Sequence, residues 1–175
     1  MPNKTLYGRH TLKTEVAVNA PVEQVWEVLS DFSAPDTYAE QVTLSYSLTP
    51  DKHGLGEARH CDIKGFGSIQ EEIIAWQDGR SLTYSVTPLG PLGKSVSRWT
   101  VDPDGDDRSK ITVELGYDLR FGPLGWLMHV LVMRRALQKA IPQGPEALKT
   151  RVETGNSIRQ RRAPVGQPQM NPSHA

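Results

Sequence analysis

Between Val42 and Arg120 the sequence breaks into short extended runs separated by turn chemistry, and this punctuation limits the fold more than any single residue does. The turn signals fall at 50–56, at Gly65-Phe66-Gly67, at Asp78-Gly79, at 88–93 and at 102–107. Six strands fit between and around them, at about 42–49, 57–63, 68–77, 81–87, 95–102 and 109–120. Strands that follow one another through turns this short must pair as antiparallel neighbours.

A further strand and two helical stretches flank this block. Leu12, Thr14, Val16 and Val18 repeat with a period of two, which predicts a half-buried first strand. Pro21 suits the first position of a helix, and Val22, Val25, Trp26 and Leu29 follow at helical spacing. The stretch 30–38, with Pro35 and Asp36, reads as a break and one more helical turn. Past the last strand, Trp126, Val130, Met133, Leu137 and Ala140 make an inner stripe on a helix over 125–141, while Arg135, Gln138 and Lys139 point away. Pro142 and Gly144-Pro145 should end or kink it, with a helical continuation over 145–154. The order predicts an α+β domain: a curved, seven-stranded antiparallel sheet wrapped on a long C-terminal helix, with short helices after the first strand.

Composition divides the chain into a segment 1–10, a domain 11–154 and a tail 155–175. The tail has three Arg, three Pro and no acid, and is expected to be disordered. The formal charge is zero but uneven: residues 1–124 carry 12 Lys/Arg against 18 Asp/Glu, and 125–175 sum to +6. That split argues against a nucleic-acid binder with a basic face throughout. A single cysteine, Cys61, rules out an intrachain disulfide and fits a reducing cytoplasm. The first fifteen residues lack the apolar run of a signal peptide, and the longest apolar stretch, 124–133, is too short to span a bilayer.

Several residues together carry a resemblance. Asn-Ala-Pro-Val-Glu-Gln-Val-Trp at 19–26 follows a strand, and Gly-x-Gly-Glu-Ala-Arg-His-Cys spans 54–61. Ile69-x-Glu71-x-Ile73 with Trp76, Leu82-x-Tyr84, Trp99, and Gly122-Pro123-Leu124-Gly125 complete the set. In this order the chain, over about 12–154, resembles the START-like, polyketide cyclase and lipid-transfer superfamily (SRPBCC). The resemblance implies a helix-grip fold with a hydrophobic cavity between sheet and terminal helix, and binding of lipids, polyketides, sterols or hormones. Some members are cyclases or dehydratases. The chain departs from the family where the break at 142–145 interrupts a helix that is usually continuous, and where Thr37-Tyr38 stands in place of a frequent tryptophan.

The hairpin around Gly65-Phe66-Gly67 decides which side chains face inward. Read as a three-residue loop with Gly67 left-handed, it sets Cys61 opposite Glu71 and Arg59 opposite Ile73, with Ile63 and Ile69 on the same face. Arg59 and Glu71 are then diagonal neighbours within reach of each other. A slip of one residue would put His60 opposite Glu71 and reverse every facing. An inward carboxylate in an apolar cavity must be paired or protonated, so Glu71 either contacts Arg59 or holds its proton. Three roles remain open for it: a structural ion pair, orientation of a ligand's polar end, or acid–base catalysis. Tyr84, Trp99 and Tyr117 share the inward parity and offer stacking area and hydroxyls. The candidate ligand contacts are Arg59, Cys61, Glu71, Ile73, Tyr84, Trp99, Tyr117, Trp126 and Val130, with Glu71 the candidate catalytic group.

Other motifs fail on geometry. His60, Cys61 and Asp62 alternate between faces and cannot share one metal. The run from Asp102 to Asp106 resembles a calcium loop, but its glycine comes too early and Val113 stands at position 12. No phosphate loop, dinucleotide fingerprint or serine elbow occurs, so neither a metal nor a cofactor is expected. Leu127, Met128, Leu131 and Val132 lie off the inner stripe and precede Arg134 and Arg135. They fit a homodimer contact, cover by the N-terminal segment, or transient contact with a membrane surface. The expected function is binding of a hydrophobic, lipid- or polyketide-like small molecule for transport or sensing. The alternatives are a cyclase/dehydratase using Glu71 and a protein-interaction module using the apolar start of the last helix.

Overall fold

The computed structural model describes residues 7–122 and 134–158. The expectations for Trp126, Leu127, Met128, Val130, Leu131, Val132 and Met133, and for the tail from 159 onward, lie outside the described residues.

Strand β1 (His10–Val18) leads into helix α1 (Val22–Ser30) and a 3₁₀ turn (Pro35–Thr37). Six strands follow: β2 (Val42–Ser47), β3 (Ala58–Ile63), β4 (Gly67–Gln77), β5 (Ser81–Val86), β6 (Leu92–Pro103) and β7 (Ser109–Leu119). They form one antiparallel sheet of seven strands in the order β1-β7-β6-β5-β4-β3-β2. Each hairpin joins sheet neighbours, and the first strand closes onto the last. Register shifts interrupt the pairing of β2 at Val42/Leu44, of β4 at Ile73/Ala75 and of β6 at Leu92/Ser95. Extra residues of this kind bend a strand and increase its twist, which is how the sheet becomes concave.

Among the described residues, the helical segments α2 (Arg134–Ala140) and α3 (Gln143–Thr154) follow the sheet. The break falls at Pro142, as the missing N–H and the ring require. The helix resumes at Gln143, two residues earlier than the sequence reading placed it. Pro145 is thereby the third helical residue, where a backbone N–H has no intrahelical acceptor and its absence costs nothing. Pro21 similarly differs by one position: its ψ of 160° leaves it extended, and the helix begins at Val22. Gly155, with φ 69°, terminates α3 and donates its N–H to Arg151 O.

The concave face is filled at one end and hollow at the other. The filled end joins Val18, Val25, Leu29, Leu82, Val101, Ile111 and Leu148 in one buried cluster. Helix α3 locks on through Leu148, which is fully buried, and through Gly144, whose missing side chain lets the backbone approach Trp99. Trp26 is held by its Nε1–H donating to Asp78 Oδ1 at 3.1 Å and by an edge contact with Trp76.

Leu148 therefore anchors the C-terminal arm. Leu148→Ala is expected to lower unfolding free energy by about 2–5 kcal/mol, whereas Leu55→Ala, at a residue 67% exposed, should stay within about 0.5 kcal/mol. Denaturant midpoints at constant m-value check both.

Candidate functional site

The site begins with a turn. Lys64-Gly65-Phe66 closes the β3–β4 hairpin, with Phe66 N–H donating to Ile63 O at 3.0 Å and Gly65 at φ 78°. Ile63 pairs with Gly67, Cys61 with Ile69, and Arg59 directly with Glu71. The register thus differs by two residues from the sequence reading, which set Arg59 opposite Ile73 and diagonal to Glu71. A shift of two keeps every side chain on its face, and it turns a diagonal pair into a direct one.

Arg59 and Glu71 form a buried ion pair, with Nε donating to Oε2 at 2.5 Å and both side chains under a tenth exposed. Nη1 of Arg59 donates to the backbone carbonyl of Phe32. The guanidinium carbon lies 3.9 Å from the centre of the Phe32 ring and 5.4 Å from that of Tyr84. Burial, the largest single effect, works against the charge of Arg59, but Glu71 together with Cys61, Tyr84 and Tyr38 outweighs it and raises the pKa above its ordinary value. The loop between α1 and the 3₁₀ turn is tied to the sheet beside this pair. Ser45 Oγ donates to Ser33 O at 2.9 Å, and Ser33 Oγ donates to the buried carboxylate of Glu57 at 3.2 Å. Glu57 Oε2 in turn accepts the Gly54 N–H at 3.0 Å.

Next to the pair, Cys61 Sγ lies 3.4 Å from Ser45 Oγ and donates to Glu71 Oε2 at 3.7 Å. Burial pushes this thiol up to about 11. The Tyr84 hydroxyl accepts from Trp99 Nε1 at 3.1 Å. Its burial, and then the charge of Glu71, hold it well above the ordinary phenol value. Burial likewise raises Tyr38 to about 12.

Of these residues Tyr38, Arg59, Cys61, Glu71, Tyr84 and Trp99 wall a cavity of about 470 Å³ between the concave face and the C-terminal arm. The arm contributes Ala136, Leu137, Ala140, Ile141 and Gly144; the sheet contributes Ile63, Ile69, Val86, Val113 and Leu115. Leu89, in the tight turn before β6, and Leu92, the first residue of that strand, border it as well. A second, more polar groove of about 630 Å³ shares Tyr38, Gln41, Lys64 and Gln143 with it.

Arg59, Cys61, Glu71, Tyr84 and Trp99 all lie on the cavity wall. Ile73 and Tyr117 do not. Ile73 is 1% exposed and belongs to the packed cluster, and Tyr117 is buried beside the His10 ring at 5.2 Å. Trp126 and Val130 lie outside the described residues. Lys139 is exposed as expected, yet it borders the cavity although its helical position pointed it away. Ser95, Ser97, Phe32 and Glu57 were missed. For the serines the signal was available, since 95, 97 and 99 share one strand face.

The rejected motifs stay apart. His60 Nε2 and Asp62 Oδ1 meet at 2.9 Å on the outer face, while Cys61 is buried inside. Asp104 N–H donates to Arg108 O at 2.9 Å within the β6–β7 hairpin turn. Among the described residues no group of three His, Cys, Asp or Glu side chains could hold a metal ion. Among them, too, no helix is long and apolar enough to cross a membrane.

A seven-stranded concave sheet gripping a broken C-terminal helix over an apolar cavity defines a START-like helix-grip protein. The chain belongs to the polyketide cyclase / dehydrase and lipid transport family, whose model matches residues 9–153. Among solved structures it is similar to a protein from Thermus thermophilus, with TM-score 0.67 and 18% identity over 83% of this chain and 99% of that one. It is also similar to a START superfamily protein from Mycobacterium smegmatis, with TM-score 0.66 and 17% identity over 85% and 100% of the two chains. Norcoclaurine synthase from Thalictrum flavum, in complex with dopamine and hydroxybenzaldehyde, gives TM-score 0.65 and 15% identity over 87% and 97%. No curated protein matches the sequence.

Two outcomes follow from the wall chemistry. Glu71→Gln leaves a buried guanidinium without its carboxylate and should lose about 3–5 kcal/mol of stability, whereas Arg59→Met with Glu71→Leu should lose less, as measured by denaturant unfolding. Cys61 favours its neutral form when folded, so its contribution is complete below pH 9 and is lost as pH rises toward 11. Stability followed from pH 8 to 11 should fall less steeply in Cys61→Ala than in the wild type.

Proposed function

We propose that the protein binds one hydrophobic small molecule in the cavity between sheet and C-terminal arm and holds it without transforming it. The observation that carries this reading is a largely apolar chamber of about 470 Å³ whose buried polar groups include the Arg59–Glu71 pair, Ser95 and Ser97, while Lys64 and Lys139 are exposed at its border. Such a chamber matches the size and lining of ligand sites in general: mostly apolar, with a few placed polar groups to fix orientation. Burying on the order of 300 Å² of apolar ligand surface supplies roughly 7 kcal/mol of gross transfer free energy, before the costs of association. Micromolar affinity follows without covalent chemistry. Family membership supports a hydrophobic guest or a polyketide-like one.

Binding is favoured over catalysis by the state of the wall. Cys61 and Tyr84 both hold their protons more tightly than ordinary thiols and phenols. Glu71 Oε2 is already engaged by Arg59 and Cys61. A proton-exchanging site at neutral pH calls for groups poised near pH 7, and this wall is arranged to keep protons where they are.

Ala140, half-buried on α2, offers a position from which the chamber can be filled with little change to the sheet. Ala140→Trp is expected to weaken binding of an apolar fluorescent probe at least tenfold while the circular dichroism spectrum is retained. Native mass spectrometry of the freshly purified wild type should show a co-purifying apolar guest that the variant lacks. Unchanged probe affinity in a folded Ala140→Trp protein would rule this reading out.

A further inference from the structure

The charge of the cavity wall leads beyond the presence of a guest to its chemical class. At the buried end Arg59 and Glu71 sum to zero, and each is engaged by the other; the other charged residues of the wall, Lys64 and Lys139, are exposed. The guanidinium is further occupied by Phe32 O and covered by the rings of Phe32 and Tyr84. A carboxylate inserted here would meet a cation already neutralised and shielded, beside a like charge on Glu71. An ammonium would meet the like charge of Arg59 and a carboxylate whose Oε2 accepts two hydrogen bonds. At this buried end either ion would lose its hydration without gaining a counter-charge, an unfavourable exchange.

The same wall welcomes neutral oxygen. On the inner face, a row running across the sheet leads from Arg59 and Glu71 through Val86 to Ser95, and the next row pairs Tyr84 with Ser97. Ser95 and Ser97 are buried, at 6% and 5% exposure, and line the cavity. Hydroxyls rotate to donate or accept, so this corner matches a hydroxyl or carbonyl group.

We propose that the buried end of the cavity selects guests whose inserted group is uncharged and bears a hydroxyl or carbonyl oxygen, and rejects a carboxylate or ammonium on the same skeleton. The inference rests on the ligand-binding reading above and specifies its guest.

The test is a series on one skeleton: naphthalene, 2-naphthol, 2-naphthoate and 2-naphthylmethylammonium, each titrated calorimetrically into the full chain at pH 7, with Ala140→Trp as the control for cavity binding. The expected result is that 2-naphthol binds at least tenfold tighter than either ion and tighter than naphthalene. Ser97→Ala should bring the affinity for 2-naphthol down toward that for naphthalene. Glu71→Gln, if it folds, should raise the affinity for 2-naphthoate relative to 2-naphthol at least tenfold, because Arg59 then lacks its partner. Either ion binding as tightly as 2-naphthol to the wild type overturns the charge rule while leaving the cavity reading intact. Failure of naphthalene and all three derivatives to bind overturns the cavity reading and this inference with it.

Discussion

The direct pairing of Arg59 with Glu71 across β3 and β4 is the contact on which the hollow half of this molecule depends. Two charges placed on the concave face of an apolar sheet are tolerable only if each satisfies the other and the remaining donors find acceptors. Nη1 reaches the carbonyl of Phe32, which draws the loop after α1 over the edge of the sheet, and Ser33 and Ser45 tie that loop down. Phe32 and Tyr84 then close on the guanidinium. A rigid polar wall results where ordinary core packing would have placed aliphatic side chains. The filled half needs no such device, because Val18, Val25, Leu82, Ile111 and Leu148 simply exclude water from one another.

Much of this was legible in the residues. Turn chemistry located six strands to within a few residues, and a period of two located the first. Side-chain parity put Arg59, Cys61, Ile69 and Glu71 on one face, and Pro142 marked where the terminal helix breaks. The hairpin register was not legible to the residue, because Gly65 and Gly67 both accept positive φ and offer two three-residue loops of different closure. Periodicity cannot choose between registers two apart, since both bury the same side chains. The hydrogen bond from Arg59 to Phe32 O was out of reach for a different reason. It links residues far apart in sequence through a backbone carbonyl, which carries no side-chain identity.

Parity also overreached. Ile73 and Tyr117 share the inner face with the wall residues, yet neither lines the chamber, because facing inward does not decide between packed core and open space. That boundary follows what covers each part of the sheet: α3 with its buried Leu148 at the filled end, and Ala136, Leu137 and Ala140 of α2 along the hollow one. Ser95 and Ser97 belong to the same lesson in reverse. Their parity with Trp99 puts them on the inner face, and the depth of the concave face sets Ser97 beside Tyr84 and Ser95 on the cavity wall.

The central claim is that this chamber, and no outer surface, receives an apolar guest. Isotope-filtered nuclear Overhauser spectroscopy on labelled protein with an unlabelled aromatic guest tests it most directly. Cross-peaks from guest protons to the methyl groups of Ile69, Val113 and Leu137, which line the chamber, are the expected result. Cross-peaks confined to Leu44, Leu48 and Ile74, which are exposed apolar side chains, would contradict it.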